Sequence, residues 1–162
     1  MILVVCGVSG VGKTTIGRLL SEALETPFYD ADDFHPESNV EKMSNGIPLD
    51  DGDRRPWLDT LASHLYAWEK EGGAVLACSA LKERYRTILG SRCGERIRWI
   101  VLHANEKVLA DRMASRTGHF FDRQLLRSQL DTLEIPDYGW LIDVQPSPQE
   151  IVNELLMRLR DK

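Results

Sequence analysis

Little in this sequence points to a partner outside a small-molecule site. Cysteine is scarce: Cys6, Cys78 and Cys93 are an odd number, and their spacing fits neither a zinc knuckle nor a disulfide framework. Cys6 and Cys78 end apolar runs, so they read as small core residues of a protein kept in a reducing compartment. Basic residues are outnumbered 20 to 25, and the formal charge of −5 speaks against a broad nucleic-acid surface. It leaves room for an anionic ligand, because local arginines can oppose the global sign. No apolar run approaches 18 residues, and the apolar start Met1 to Cys6 lacks a basic leader. The expectation is a soluble, cytoplasmic protein with no membrane partner. Repeats, low-complexity tracts and long Pro/Gly/Ser linkers are also missing, and 162 residues suit one domain that buries about 70% of its unfolded surface.

What is present is an alternation of short apolar runs with helical patterns. Ile2 to Cys6 is a β-branched run ended by glycine and reads as a buried strand. From Gly12 to Leu24, apolar residues recur at helical spacing, and Pro27, Phe28 and Tyr29 lead into a short second strand. His35-Pro36 opens a helix that stops near Gly46, and Pro56-Trp57 begins a longer one that Gly72-Gly73 end. Ala74 to Cys78 is a third strand, Ala80 to Leu89 a helix, and Ile97 to Leu102 a fourth strand. Helices over Glu106 to Arg116 and Gln124 to Leu133, a fifth strand over Leu141 to Val144 and a helix from Pro148 to about Arg160 complete the chain. Strands separated by helices imply right-handed crossovers and a parallel sheet covered on both faces, with ligands beyond the carboxyl ends of the strands.

The strongest motif is Gly7-Val8-Ser9-Gly10-Val11-Gly12-Lys13-Thr14, a full match to G-x-x-x-x-G-K-[ST] placed between a strand and a helix. The glycines let the loop turn its N–H groups toward phosphate oxygens, and the following helix adds its positive end. Lys13 is expected to reach the β- and γ-phosphates of ATP, and the Thr14 hydroxyl to ligate Mg²⁺. GTPase switches carry the same cradle, but a guanine-reading N-K-x-D is missing here.

Polar clusters follow the strands. Asp30 and Asp32 stand two apart after the second strand, and in extended backbone they would face the site together. A carboxylate there can orient an acceptor hydroxyl and take its proton, and another can hold a water on Mg²⁺. The alternative is a solvated acidic turn with helix-capping aspartates, and Asp33 reads as surface. His35 reads equally as a hydroxyl-binding residue or an ordinary turn residue. Ser79 stands where many P-loop proteins carry a metal-linked aspartate, which pushes the carboxylate role onto Asp32 and the reading toward small-metabolite kinases. Arg54 is a candidate fork for a ligand carboxylate, in a stretch that also reads as an Asp53-capped helix start. Lys42 has a weaker case and reads also as a surface lysine. Arg112, Arg116, Gly118, His119 and Arg123 surround a turn between two helices, the composition of a cationic lid over about 112–123 or of exposed helix arginines.

These residues together resemble the gluconokinase family of P-loop carbohydrate kinases, in particular the thermoresistant-type bacterial members. The resemblance runs along nearly the whole chain. It rests on the phosphate loop, Asp30 to Pro36 (DADDFHP), Asn39 to Leu58, Cys78 to Arg86 (CSALKERYR), and Arg116 to Glu134. It implies a three-layer α/β fold of the adenylate- and shikimate-kinase type, with about five parallel strands and a small lid. It implies transfer of the γ-phosphate of ATP to gluconate, giving 6-phosphogluconate, with Mg²⁺ and commonly a homodimer. By that likeness Lys13, Asp32 and Arg116 carry the chemistry. Gly7 to Thr14 and Arg112 hold the nucleotide, whose adenine lies near Gln145 to Ser147. Asp32, His35, Lys42, Arg54, Ser79, Lys82 and His119 serve the acceptor. The rival readings are a kinase for another small acid such as shikimate, and an ATP-binding switch without chemistry. Asp33-Phe34 and the short segment Ile135 to Trp140 depart from the family pattern.

Overall fold

The computed structural model describes residues 1–115 and 123–161. The strands are β1 (Ile2–Cys6), β2 (Phe28–Asp30), β3 (Ala74–Ala77), β4 (Ile97–His103) and β5 (Trp140–Asp143). They form one sheet in the order β2-β3-β1-β4-β5, and every pairing is parallel. The register sets Ile2 beside both Ala74 and Ile97, so β1 lies at the centre. Its five residues are all buried, which is why a β-branched apolar run without alternation forms it.

The helices are α1 (Lys13–Leu24), α2 (Glu37–Ser44), α3 (Asp51–Lys70), α4 (Glu83–Gly90), α5 (Glu106–Ala114), α6 (Arg123–Thr132) and α7 (Pro148–Arg160). Alternate strand residues feed two cores. Ile2, Val4, Leu76 and Val101 pack with Leu58, Leu61 and Leu65 of α3 and Leu89 of α4. Leu3, Val5, Val75 and Leu102 face the other way, onto Ile16 and Leu20 of α1, Leu109 of α5, Leu126 of α6 and Leu155 of α7. This is the three-layer arrangement expected from the sequence. Each fully buried Leu or Ile contributes about 1.5–3 kcal/mol of transfer free energy to it.

Two helix starts differ from expectation. α3 begins at Asp51, five residues before Pro56. Asp50 accepts the Asp53 N–H at 2.7 Å, and Asp53 accepts the Asp50 N–H at 3.0 Å. This reciprocal box nucleates the helix upstream of proline, with Asp50 rather than Asp53 as the capping residue. Pro56 therefore lies inside the helix and deprives only the exposed Gly52 carbonyl of a donor. α4 begins at Glu83 instead of Ala80, because Ala80 adopts φ 39°, which no helix admits.

Arg86 holds that bend. It is 2% exposed, and its guanidinium donates to the Ala80 carbonyl at 2.7 Å and to the Glu134 carbonyl at 2.7 Å. It also pairs with Glu83 at 2.8 Å and donates to the Tyr138 hydroxyl at 3.3 Å. One planar cation thus ties the loop after β3 to the segment after α6. Arg86→Met keeps the buried stem but leaves two carbonyls without their donor, so we expect a loss of about 2–4 kcal/mol in urea unfolding. Retention of the wild-type midpoint would show that these bonds do not hold the bend.

Candidate functional site

All five strands point the same way, so their carboxyl ends open onto one edge of the sheet. The phosphate loop leaves β1 there. Gly7 has φ 141°, and a Cβ at this position would stand 2.6 Å from the Leu102 carbonyl oxygen. Gly12 caps α1 in a left-handed conformation, φ 104°. Both positions therefore need glycine, for contact in one case and for backbone angle in both. The loop's first N–H is anchored on the Ser79 carbonyl at 3.3 Å, and Val11 N–H turns back to Val8 at 3.4 Å. Ser79 thereby bears on the cradle through its backbone. Lys13 lies across the loop and donates to the Val8 carbonyl at 3.0 Å. Burial lowers its pKa, and the carboxylates of Asp32 and Asp30 act in the opposite direction.

The carboxylate beside Thr14 is that of Asp30, not Asp32. Thr14 Oγ1 donates to Asp30 Oδ2 at 3.4 Å, and the other oxygen, Oδ1, accepts the Asp32 N–H at 3.0 Å. That second bond ends β2 and starts a 3-10 turn over Ala31–Phe34. The extended backbone expected to align the two aspartates is therefore replaced by a turn. Asp33 is exposed, as expected, and Phe34 packs on Tyr29, His64 and Trp68.

Asp32 stands in the mouth of the cleft, where its side chain is 86% accessible. The cleft walls displace part of its hydration, and Asp30 lies near. Both raise its pKa above the ordinary carboxylate value, and His35 and Lys13 act against them. His35 Nε2 stands 3.9 Å from Asp32 Oδ1. The imidazole stacks on the Trp57 ring at 4.2 Å, and the Trp57 indole N–H donates to the Ala31 carbonyl at 2.8 Å. Asn39 Nδ2 donates to the Asp53 carbonyl at 2.9 Å and contacts His35 Nδ1 at 3.3 Å. Because that nitrogen is a donor, Nδ1 must accept, and the His35 proton lies on Nε2, facing Asp32. Burial lowers the His35 pKa, with Arg54 adding to the effect and Asp32 opposing it, so the ring is neutral at pH 7.

Arg54 and Lys82 gather at one aromatic ring. The Arg54 guanidinium lies 5.7 Å and the Lys82 ammonium 5.6 Å from the Tyr85 centroid. Arg84 is also there at 5.7 Å, but it is paired with Asp51. Tyr85 donates to Asp51 at 2.5 Å, and Arg54 donates to the Leu49 carbonyl at 2.7 Å. The Tyr85 hydroxyl is committed to Asp51, so it is the Arg54 and Lys82 cations that suit an anion here. Lys42 is placed differently. It bonds both Asp53 oxygens, at 2.8 and 3.0 Å, so its charge is neutralised within the protein.

On the other side of the loop, a cavity of about 370 Å³ is bounded by Gly10, Gly12, Arg112, Val144, Pro146 and Pro148, among others. Arg112 donates to the Val144 carbonyl across it. The segment expected to meet an adenine ring forms one wall. Arg116, Gly118 and His119 lie outside the described residues, as does the side chain of Arg123, and with them most of the proposed lid.

Several groups that shape the site were not singled out from the sequence. Asn39, 2% exposed, stands four residues after His35 on the next helix, a spacing that signals a shared face. Trp57 and Arg86 carried no local signal, because each acts through a carbonyl remote in sequence. Among the described residues, no group of three or more His, Cys, Asp or Glu could hold a metal ion. The Thr14 hydroxyl and Asp30 carboxylate form a sparse, hard oxygen set, which fits Mg²⁺ arriving with nucleotide and keeping several waters. The same residues also form no helix long and apolar enough to cross a membrane.

Comparison with known proteins agrees with this geometry. A family model described as an AAA domain matches residues 3–124. A protein named gluconokinase from Arabidopsis thaliana is 41% identical over 170 residues, covering 96% of this chain and 90% of its own. The crystal structure of a gluconokinase from Sinorhizobium meliloti superposes with a TM-score of 0.88 at 43% identity, covering 98% and 91% of the two chains. A shikimate kinase from Aquifex aeolicus, 21% identical with a TM-score of 0.60, shares the fold alone. With a glycine-shaped phosphate loop, an acidic turn beside it and this degree of identity along the whole chain, the protein belongs to the gluconokinase family of P-loop kinases.

Proposed function

We propose that this protein transfers the γ-phosphate of ATP to the 6-hydroxyl of D-gluconate. The observation that carries the reading is the hydrogen-bond run from Thr14 through Asp30 to the Asp32 amide, which brings the nucleotide cradle and an acceptor carboxylate to one point. Family membership supports gluconate over shikimate, since the shikimate kinase likeness extends only to the fold.

The loop N–H groups and Lys13 hold the β- and γ-phosphates. Lys13 leaves the Val8 carbonyl for a phosphate oxygen, a stronger, charge-assisted acceptor. Thr14 would hold Mg²⁺, which would supply charge neutralisation to the phosphates, and Asp30 would orient the Thr14 hydroxyl for that contact. Asp32 accepts the proton of the acceptor hydroxyl and aligns it for in-line attack. Neutral His35 donates from Nε2, either to Asp32 or to a sugar hydroxyl. The free cations at Tyr85, Arg54 and Lys82, receive the gluconate carboxylate, with Ser79 at the edge of the pocket. Lys42 supports this pocket by fixing the Asp53 cap. Arg112 borders the nucleoside cavity, and the adenine rests near Gln145 to Ser147. Arg116 and His119 act from a lid over about 112–123 of a single kinase domain, 1–162. Support for the lid, the homodimer and a cytoplasmic site of action comes from the family resemblance.

Coupled ADP release measured over a panel of small acids and polyols should show gluconate as the preferred acceptor. Lys13→Ala should lower that rate about 10³-fold. An absence of gluconate-dependent ADP release would refute the assignment. Asp32→Asn should lower kcat by about 10²–10⁴-fold. The same change should raise the thermal midpoint at pH 7. Ionised Asp32 has a raised pKa in the folded chain, so it costs stability above that pKa. The cost vanishes as pH falls below the unfolded value of 3.8, and the two proteins should converge there. A variant with wild-type turnover would remove Asp32 from the chemistry.

A further inference from the structure

Three cations converge on Tyr85, and the protein neutralises one of them and leaves two. Tyr85 is 7% exposed, in the core that α3 shares with β3, and its hydroxyl donates to Asp51 Oδ1 at 2.5 Å. The other oxygen of the same carboxylate, Oδ2, pairs with Arg84. Burial raises the Tyr85 pKa and the bond to Asp51 adds to the rise, so the phenol keeps its proton and remains a donor. Both Asp51 oxygens are thereby committed. Arg54 is left with the neutral Leu49 carbonyl at 2.7 Å, and Lys82 with the aromatic ring.

Without the Tyr85 hydroxyl, Asp51 would be open to either remaining cation. Arg54 stands three positions after Asp51 on α3, the spacing of an ordinary helical ion pair. The Tyr85 bond holds the Asp51 pKa below the ordinary carboxylate value, burial opposes it, and Arg84, Lys82 and Arg54 each lower it further, so the carboxylate lies in the field of all three. The two unpaired cations belong to the acceptor side of the cleft. Arg54 shares a face of α3 with Trp57, three residues on. The Trp57 ring stacks on His35, whose Nε2 is 3.9 Å from Asp32. Burial lowers the His35 pKa and the Arg54 charge adds to it, which sets that cation within reach of the imidazole. Lys82 caps α4 at the end of the loop that leaves β3, and the Ser79 carbonyl of that loop takes the Gly7 N–H.

We propose that Tyr85 and Asp51 together set the class of acceptor: the phenol hydroxyl keeps Asp51 from pairing with Arg54 and Lys82, and these two cations then select an acceptor that carries a carboxylate over a neutral polyol of the same length. This rests on the kinase reading of the site. Tyr85 is a positioning residue, because it acts through Arg54 and Lys82. A carboxylate between the two cations receives charge-assisted bonds from both, whereas a neutral acceptor leaves two like charges uncompensated. A freed Asp51 would supply that carboxylate from within the protein and compete with the acceptor for the same cations.

The test is a double-mutant cycle over Tyr85→Phe and Asp51→Asn, read on the KM for gluconate, with the KM for MgATP and the thermal midpoint measured in parallel. Phenylalanine keeps the buried ring and loses only the hydroxyl, so the chain should fold. Asp51 is then free to pair with Arg54 or Lys82, and the gluconate KM should rise about tenfold or more, the loss of one charge-assisted bond, with the MgATP KM unmoved and kcat changing less. In the Asp51→Asn background no carboxylate is left to divert, and the same Tyr85→Phe change should move the gluconate KM by less than about twofold. The wild-type chain should also favour gluconate over D-glucitol, which carries CH₂OH in place of the carboxylate, by about tenfold or more in kcat/KM. A gluconate KM unchanged in Tyr85→Phe, or raised equally in both backgrounds, would overturn the proposal and leave Tyr85 as core packing. Equal use of gluconate and glucitol by the wild-type chain would overturn it as well. If the wild-type chain ignores gluconate but phosphorylates another acid, only the acceptor assignment fails, and the cycle is read on that acid. If it phosphorylates no acid, both fail together.

Discussion

The site depends on one carboxylate with two obligations. Asp30 takes the Thr14 hydroxyl on one oxygen and the Asp32 amide on the other. The first bond fixes the Thr14 hydroxyl at the start of α1, at the end of the phosphate loop. The second ends β2 and bends the chain so that Asp32 projects into the cleft. Each contact alone is an ordinary side-chain hydrogen bond of about 1 kcal/mol. Together they set the spacing between the phosphate loop and the turn that carries Asp32. β2 pairs only with β3 and lies at an edge of the sheet, so its end is free to turn without disturbing the central ladder.

Around this point the protein uses long side chains to hold loop carbonyls. Trp57 reaches the Ala31 carbonyl under the acidic turn, Arg86 reaches Ala80 and Glu134, and Asn39 reaches Asp53. All three side chains belong to buried residues, so each bond is worth more to keep than it would be in water. These contacts bind the irregular segments after β2 and β3 to helices α2, α3 and α4. A site made largely of loops thereby acquires a rigid base. Burial also protonates what should be inert. The Cys6 and Cys78 thiols, buried at the ends of their strands, are pushed up to about 12 and stay neutral near the phosphate cradle.

The charge distribution shows why a net charge of −5 is compatible with an anionic nucleotide and an anionic acceptor. Lys42 is neutralised by Asp53, and Arg84 by Asp51. Lys13, Arg54 and Lys82 instead rest on carbonyls or an aromatic face. A neutral partner holds a cation less tightly than a carboxylate does, which leaves these three charges open to an anion. Sequence composition could not distinguish the two sets, because pairing is decided by which helix faces which.

Read by itself, the sequence determined the sheet, the phosphate loop and the family. A β-branched run, a glycine pattern and helical periodicity are local signals, and each is enforced by sterics or by burial within a few residues. The sequence also pointed to Asp30, Asp32 and His35 as one cluster, and the structure sets the Asp32 N–H on Asp30 and His35 Nε2 3.9 Å from Asp32. Only the tertiary structure decided which aspartate meets Thr14: alternation had both facing the site, and with a 3-10 turn in place of extended backbone it is Asp30 that accepts from Thr14. It also started α3 before Pro56, withdrew Lys42 into a pair with Asp53, and set Arg86 and Gln129 against loops 48 and 120 positions away. The Lys42, Arg86 and Gln129 contacts join segments distant in the chain and leave no periodicity in the sequence for either partner to be recognised by, whereas the α3 start and the Asp30 turn rest on local caps that overrode the proline and alternation signals.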